Sequence, residues 1–330
     1  MMNKNFQNIL RDGGLIIFPT ETVYGIGCKF DDEEAINKIF KIKNRPASHP
    51  LILHIGSKSS LERYAVDIPK DALTLIEKFW PGPLTLILKK NKIVKGVVTG
   101  GQETVGIRMP NHPVTLNIIN KLGSAIVGPS ANYYSRLSTT RISDIPESLK
   151  DAVDLVVDGG NCEVGIESTI IDFSTNGTYS ILREGNITLQ QVESVIGKPK
   201  NIYKKINSDV RHPGGVSFHY SPLTPLTILL RDDINRFIVK AKQKKIAVLS
   251  RISRPIHSYA TVWQIAPHRP REYGANLYNF LARLDKSGCD LIVVEAVPDN
   301  SEWIAVKDRL FKAKVSDTVL ESIFNKNYSS

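Results

Sequence analysis

Lys43 and Arg45 are the first residues of this 330-residue chain whose types and spacing point to chemistry. They stand two apart where an amphipathic stretch runs into Pro46. Proline ends a helix there, so both cations can project toward one anion beyond the helix. A fixed ammonium beside a guanidinium that grips two oxygens is what a triphosphate requires. For Lys41 the helix dipole, which favours a C-terminal cation by a few tenths to about 1 kcal/mol, is as good an account as a role in anion binding.

Three polar turns at strand ends are further candidates. Pro19-Thr20-Glu21-Thr22-Val23-Tyr24-Gly25-Ile26-Gly27 follows an apolar strand, residues 160–170 enter one, and Leu182-Arg183-Glu184-Gly185 ends one. Such polar residues can simply satisfy backbone groups. Their density at strand ends, where α/β sites form, favours function. Gly128-Pro129-Ser130-Ala131-Asn132 has the outline of a nucleophile elbow, but Asn132 stands where the sharp turn needs glycine. The two glycine-rich phosphate loops, His-Glu-x-x-His and Cys-x-x-Cys are all absent from the sequence.

The elements that must position these residues alternate. Apolar runs at 15–18, 51–55, 84–88, 105–108, 125–127, 155–157, 169–172 and 180–182 read as short strands. Helices are expected at 31–43, 71–79, 114–122 and 189–196, the first capped by Asp31 or Asp32 and presenting Ala35, Ile36, Ile39 and Phe40 on one face. From 198 to 225 no period is visible, and prolines and adjacent glycines mark a linker. Beyond it, strands at 226–230, 246–250, 260–265 and 290–296 alternate with helices at 234–242 and 271–287, and helices at 303–313 and 317–324 follow. That pattern predicts a small parallel sheet covered by helices. The expected division is 1–205, a linker 206–225, and 226–330.

Bulk properties limit the function classes. Hydrophobic content of 42% and charged content of 23% are those of a globular protein able to bury a core unaided. No apolar run approaches the ~20 residues of a membrane helix, and the N-terminus lacks a signal-peptide pattern. Cys28, Cys162 and Cys289 are isolated, so neither a zinc site nor a disulfide framework is indicated, and a reducing cytoplasm is expected. The net charge of +10 is thinly spread: 25 Lys and Arg against 21 Asp and Glu in residues 1–205, 18 against 12 in the rest. It permits polyanionic partners without requiring them.

Together, Lys43-x-Arg45 and Ser130-x-Asn132 match the signature of the YrdC-like family. The chain resembles in particular its two-domain threonylcarbamoyl-AMP synthases. Collinear blocks over about residues 10–200 carry the resemblance: residues 19–25, 49–54, 80–85, 104–108, 167–170 and 182–185. His219-Tyr220-Ser221-Pro222 and a second α/β domain match the long form. The resemblance implies a twisted mixed sheet with helices around a concave basic cavity, and a smaller Rossmann-like domain. It implies an enzyme that joins L-threonine, bicarbonate or carbon dioxide, and ATP into threonylcarbamoyl-AMP and pyrophosphate. A separate complex would pass the group to the adenosine beside a tRNA anticodon, and tRNA contact is possible.

Carried over by motif, Lys43, Arg45, Ser130 and Asn132 are the catalytic set. Arg45, His49, Thr104, Ser130, Ser138, Arg183 and Tyr220 face ATP. Thr22, His54, Arg108, Gly128 and Ser168 hold threonine. Chemistry agrees: a carbamate attacking the α-phosphorus needs no protein nucleophile, only positioning and charge stabilisation. With no carboxylate cluster in view, magnesium is expected to arrive with ATP rather than in a protein cage. Between Pro213 and His219 the family usually carries Met, an aromatic and basic residues, where this chain has Gly215-Val216-Ser217-Phe218. Two other readings compete: a non-catalytic module for double-stranded RNA, and a carbamoyltransferase of the hydrogenase-maturation type, against which the isolated cysteines speak.

Overall fold

The computed structural model describes residues 6–175, 178–198, 210–215 and 220–325. The chain divides into two compact units, Met1–Tyr134 with Ser138–Gly215, and Ser135–Leu137 with Val216–Ser330. The stretch expected to be a separate linker is shared between them. Residues 210–215 belong to the first unit and Tyr220 to the second. The rest of 206–219, including His219 and the atypical 216–218, lies outside the described residues.

In the first unit, β1 (Ile16–Phe18), β2 (Gly25–Lys29), β3 (Ile52–His54), β4 (Leu84–Lys89), β5 (Thr104–Arg108), β6 (Ile126–Val127), β7 (Leu155–Val156), β8 (Thr169–Asp172) and β9 (Ser180–Arg183) form one mixed sheet in the order β7-β1-β2-β6-β3-β5-β4-β8-β9. Around it lie α1 (Phe6–Arg11), α2 (Glu33–Lys43), α3 (Lys70–Phe79), α4 (Gly96–Thr99), α5 (Pro113–Leu122), α6 (Glu147–Lys150) and α7 (Leu189–Ile196). Successive strand residues face opposite sides. Ile16 and Phe18 therefore pack with Leu10, Ile118 and Leu122 beneath α1 and α5. Ile17 joins Ile26, Leu53, Ile107 and the buried faces of α2 and α3 on the other side.

Helix α2 starts one residue after Asp32, whose carboxylate accepts from Ala35 N–H, and two acids occupy its first turn. It stops at Asn44, which is left-handed (φ 51°) and returns its N–H to Phe40 and Lys41 carbonyls. That cap turns the chain so that Arg45 leaves the helix axis.

Strand β2 is a correction. Residues 25–27 look like the end of a polar turn, yet Gly25–Lys29 is an interior strand between β1 and β6. The glycines serve close approach instead. A Cβ on Gly25 would lie 2.5 Å from the Phe18 ring, and one on Gly27 2.5 Å from the Val127 carbonyl oxygen.

In the second unit, β10 (Leu226–Leu229), β11 (Ile246–Ser250), β12 (Val262–Ile265) and β13 (Leu291–Glu295) form a wholly parallel sheet in the order β10-β13-β11-β12. It carries α8 (Arg231–Lys240), α9 (Pro270–Asp285), α10 (Ile304–Ala313) and α11 (Asp317–Asn325). No helix among the described residues is long and apolar enough to cross a membrane.

Candidate active site

Strands β3 and β5 run parallel with His54 opposite Arg108, so both side chains emerge at neighbouring strand ends. Both are buried, at 4% exposure. Antiparallel pairing of β6 with β3 brings Gly128 alongside. Its N–H bonds to Ile52 O at 3.2 Å and its carbonyl lies 3.4 Å from His54 Nε2. The approach demands glycine, because a Cβ there would stand 2.8 Å from Ile26 O and 2.9 Å from the Phe18 ring. That same ring meets the His54 imidazole edge-on at 5.5 Å.

Burial, then the charge of Arg108, pushes the His54 pKa down to about 3. The ring is therefore neutral at physiological pH. With the proton on Nε2, facing Gly128 O, Nδ1 presents a lone pair; it is buried and has no partner among the described residues. Arg108 donates from Nη1 to Thr22 Oγ1 at 2.9 Å and pairs through Nη2 with Glu21 Oε2 at 2.7 Å. Its Nε and Glu21 Oε1 have no hydrogen-bond partner among the described residues.

The Thr20 hydroxyl fixes this turn. It donates to Val23 O at 2.6 Å and accepts from the N–H groups of Thr22 and Val23. Its one proton is thereby used, so Thr22 donates to Thr20 across 2.9 Å while accepting from Arg108.

A second group surrounds the end of α2. Lys43 is 1% exposed, and its ammonium donates to Ser130 O at 2.6 Å and to Asn132 O. Tyr134 N–H returns to Lys43 O at 2.9 Å. Burial, then Arg45, pushes the Lys43 pKa well below the usual lysine range. This differs from the expected free cation beyond the helix: two of the three ammonium donors clamp the 130–132 backbone. Arg45 is buried rather than free at a helix end; its Nη2 bonds to Pro50 O at 3.0 Å and its guanidinium lies 5.9 Å from the Tyr134 ring centre. His49 meets the same ring edge-on at 5.4 Å. Burial and then the charges of Arg45 and Arg211 lower its pKa.

A third group sits where β8 begins. Ser168 Oγ is 2.7 Å from Thr85 Oγ1, and Arg183 reaches Ser168 O through Nε (2.9 Å) and Ser168 Oγ through Nη2 (3.1 Å). Nη1 of Arg183 donates to Pro213 O at 3.1 Å. Ser138 donates to Glu167 at 2.5 Å.

The loops bearing these groups are knit together. Tyr24 N–H bonds to Thr139 O, Ala131 N–H to Tyr24 O, and Val164 N–H to Glu21 O. Arg211 fastens residues 210–215 onto the same unit, through Ser48 O (2.7 Å), Gly100 O (2.6 Å) and a two-way backbone pairing with the Gln102 side chain. Of the expected residues, Thr104 heads β5 opposite Lys89, where no side-chain bond ties it to the others. Tyr220 belongs to the second unit, its ring 5.9 Å from Tyr278 and 5.4 Å from the Arg309 guanidinium. Glu21, Glu167, Thr85, Tyr134 and Arg211 were missed. A buried arginine needs a counter-charge, and that requirement at Arg108 could have singled out Glu21 among the acids of the strand-end turns.

The arrangement offers a neutral imidazole acceptor, a partly unsatisfied ion pair, and cations clamped against backbone, with no nucleophile-and-base pair among the described residues. Comparison with known proteins identifies the family. The profile of the Sua5, YciO and YrdC family, described as "Telomere recombination", matches residues 8–185. A second, described as "Threonylcarbamoyl-AMP synthase, C-terminal domain", matches 187–314. The chain is 36% identical over 315 residues to a threonylcarbamoyl-AMP synthase of Pyrococcus abyssi, covering 92% of this chain and 91% of that one. A Bacillus subtilis protein of the same name is equally similar, at 92% and 90% coverage. The crystal structure of P. abyssi Sua5 complexed with L-threonine superposes with a TM-score of 0.86, at 35% identity over 94% of this chain and 95% of that one.

Proposed function

We infer the reaction from one premise: the chain belongs to the Sua5, YciO and YrdC family, in its two-domain form. It is a threonylcarbamoyl-AMP synthase, a nucleotidyltransferase that uses L-threonine, bicarbonate or carbon dioxide, and ATP, and releases pyrophosphate.

The observation that carries the threonine site is the pair at neighbouring strand ends, His54 and Arg108, with Glu21 and Thr22 against the arginine. An α-amino acid is a zwitterion. Arg108 Nε is an open donor for its carboxylate, and Glu21 Oε1 an open acceptor for its ammonium. His54 Nδ1 supplies a neutral acceptor suited to the threonine hydroxyl. Thr22, Ser168 and the Gly128 backbone complete that side.

The ATP side comprises Arg45, His49, Thr104, Ser130, Ser138 and Arg183, with Asn132 and Lys43 setting the 130–132 backbone. The ammonium of threonine must lose one proton to solvent before its amine attacks carbon dioxide, and the adduct loses a second to solvent as it becomes the carbamate. His54, with a pKa of about 3, accepts a hydrogen bond but cannot store that proton near neutrality. The carbamate oxygen then attacks the α-phosphorus and pyrophosphate departs, its charge met by the guanidiniums of Arg45 and Arg183. Magnesium carried by ATP would neutralise the same charge. Tyr220 is assigned to ATP by family resemblance. The product is a mixed anhydride prone to hydrolysis, which suits prompt consumption by a cytoplasmic tRNA-modifying complex.

The direct test supplies ATP, Mg²⁺ and bicarbonate with and without threonine, and measures pyrophosphate and acyl-adenylate. Turnover that ignores threonine, or none, overturns the reading.

A further inference from the structure

The second unit gathers two arginines around one buried carboxylate at one edge of its sheet. In a parallel sheet all strand carboxyl ends share an edge, and the helix after each strand begins there. β11 ends at Ser250, β13 at Glu295, and α8 begins two residues after β10. Glu295 is 1% exposed. Its Oε2 accepts from the Ser250 hydroxyl and from Arg251 N–H, both at 2.7 Å. Its Oε1 accepts from Arg251 Nη2 at 2.7 Å and Arg231 Nε at 3.0 Å. Burial alone would raise its pKa; the bonds from Ser250, Arg251 and Arg231 outweigh burial and hold the carboxyl below its ordinary value.

One ionised carboxylate therefore faces two guanidiniums, and a positive charge is left over. Donors are left over too. Arg251 Nε is buried without a partner among the described residues. So is the hydroxyl of Tyr273, a residue 1% exposed in the first turn of α9. Arg251 and Glu295 are its charged neighbours. Trp303 closes the group, its ring 5.3 Å from that of Tyr273 and 5.5 Å from the Arg251 guanidinium carbon. Neither α8 nor α9 has a side-chain cap, so their first N–H groups add positive potential at this edge. Asp232 and Asp233 offset that potential at α8, and Asp233 also pairs with Arg236. Glu272 does the same in the first turn of α9, where it also pairs with Arg269, so it is the unpartnered atoms of Arg251 and Tyr273 that mark the open side. A buried hydroxyl and a buried guanidinium N–H left unpaired are each costly to a folded chain, and an incoming acceptor would relieve both.

We propose that this edge is an anion site for the phosphoryl group of a small molecule, with Arg251 and Arg231 as its cations and Tyr273 as a hydroxyl donor. A tetrahedral oxyanion can take donors of different kinds from separate directions, and a guanidinium and a phenol with unpartnered donors are neighbours here. The site shares no residue with the threonine and ATP groups, so it stands or falls apart from the reaction.

Calorimetric titration of the full-length protein with inorganic phosphate tests it, in an Arg45→Ala background that weakens the ATP side. Ionic strength is held constant, and acetate serves as a carboxylate control. Saturable phosphate binding is expected, weakened at least tenfold by Arg251→Gln and by Tyr273→Phe. A parallel change in tryptophan fluorescence should vanish in Trp303→Phe. Tyr273→Phe removes only a hydroxyl, so it answers even where Arg251→Gln loosens the unit. Absence of saturable binding, equal binding of acetate, or phosphate binding untouched by both substitutions would overturn the proposal.

Discussion

Acid should weaken the first unit through His54, and by a calculable amount. In the folded chain its pKa is about 3, against an ordinary 6.5. Below pH 6.5 the unfolded chain binds a proton that the folded chain refuses. Stability that is whole above 6.5 is therefore lost as pH falls, and the loss is complete near 3. Linkage over that gap is worth about 5 kcal/mol in all, and about 2 kcal/mol of it has gone by pH 5. Urea unfolding at pH 8 and pH 5 measures this, comparing the parent with His54→Gln. Trp80 is the reporter; its indole bonds to Leu84 O at 2.8 Å inside the first unit. Trp263→Phe and Trp303→Phe silence the other two tryptophans of the chain. The remaining ionisable groups are common to both proteins, so subtraction isolates the imidazole. The parent should lose about 2 kcal/mol more than the variant. Equal losses, within about 0.5 kcal/mol, would show that the imidazole is not held neutral, and the acceptor role of Nδ1 would go with it.

Arg45→Ala should lower pyrophosphate release about 100-fold or more while costing about 1 kcal/mol of stability for its bond to Pro50 O. More than a tenth of the parent turnover would contradict its place on the phosphates. Arg211→Ala removes two guanidinium-to-carbonyl bonds beside His49. It should raise KM for ATP roughly five- to tenfold, with KM for threonine unchanged and partial recovery in Arg211→Lys; equal shifts in both constants would refute a local latch. Gly128→Ala forces a Cβ to 2.8 Å from Ile26 O, so thermal unfolding should show a loss of about 1–3 kcal/mol, with threonine binding impaired as Gly128 O moves.

Most strands and helices were legible because each is specified locally. Asp32 and the apolar spacing of Ala35, Ile36, Ile39 and Phe40 define α2 within a dozen residues. Pro113 and Gly123 bracket α5 in the same way. Strand β2 was not legible, since Gly25 and Gly27 carry no strand preference of their own. Their fitness appears only when Phe18 and Val127 are placed beside them. The attachment of residues 210–215 to the first unit was not legible for a related reason. Its composition marks irregular backbone, but the partners of Arg211 lie more than a hundred residues earlier in the chain.

The site divides along the same line. Residue types at strand and helix ends were readable, because ends are local features. Pairings were not, because they join positions 86 to 89 apart: Arg108 with Thr22, and Lys43 with Ser130 and Asn132. The pairings alter what the residues do. Read alone, Lys43 and Arg45 are two equivalent cations for one triphosphate. Placed in the fold, Lys43 spends two donors on the backbone that carries Ser130 and Asn132, and its burial disfavours a free charge. In the proposed ATP site the fixed positive charge therefore falls to the Arg45 guanidinium. On the other side, Arg108 does not wait as a bare cation for a carboxylate. Glu21 already balances it, and under the proposed function a neutral zwitterion would enter without leaving either member of the buried pair unpaired. An isolated arginine would select any carboxylate; an Arg–Glu pair beside a neutral histidine favours an amino acid that also carries a hydroxyl.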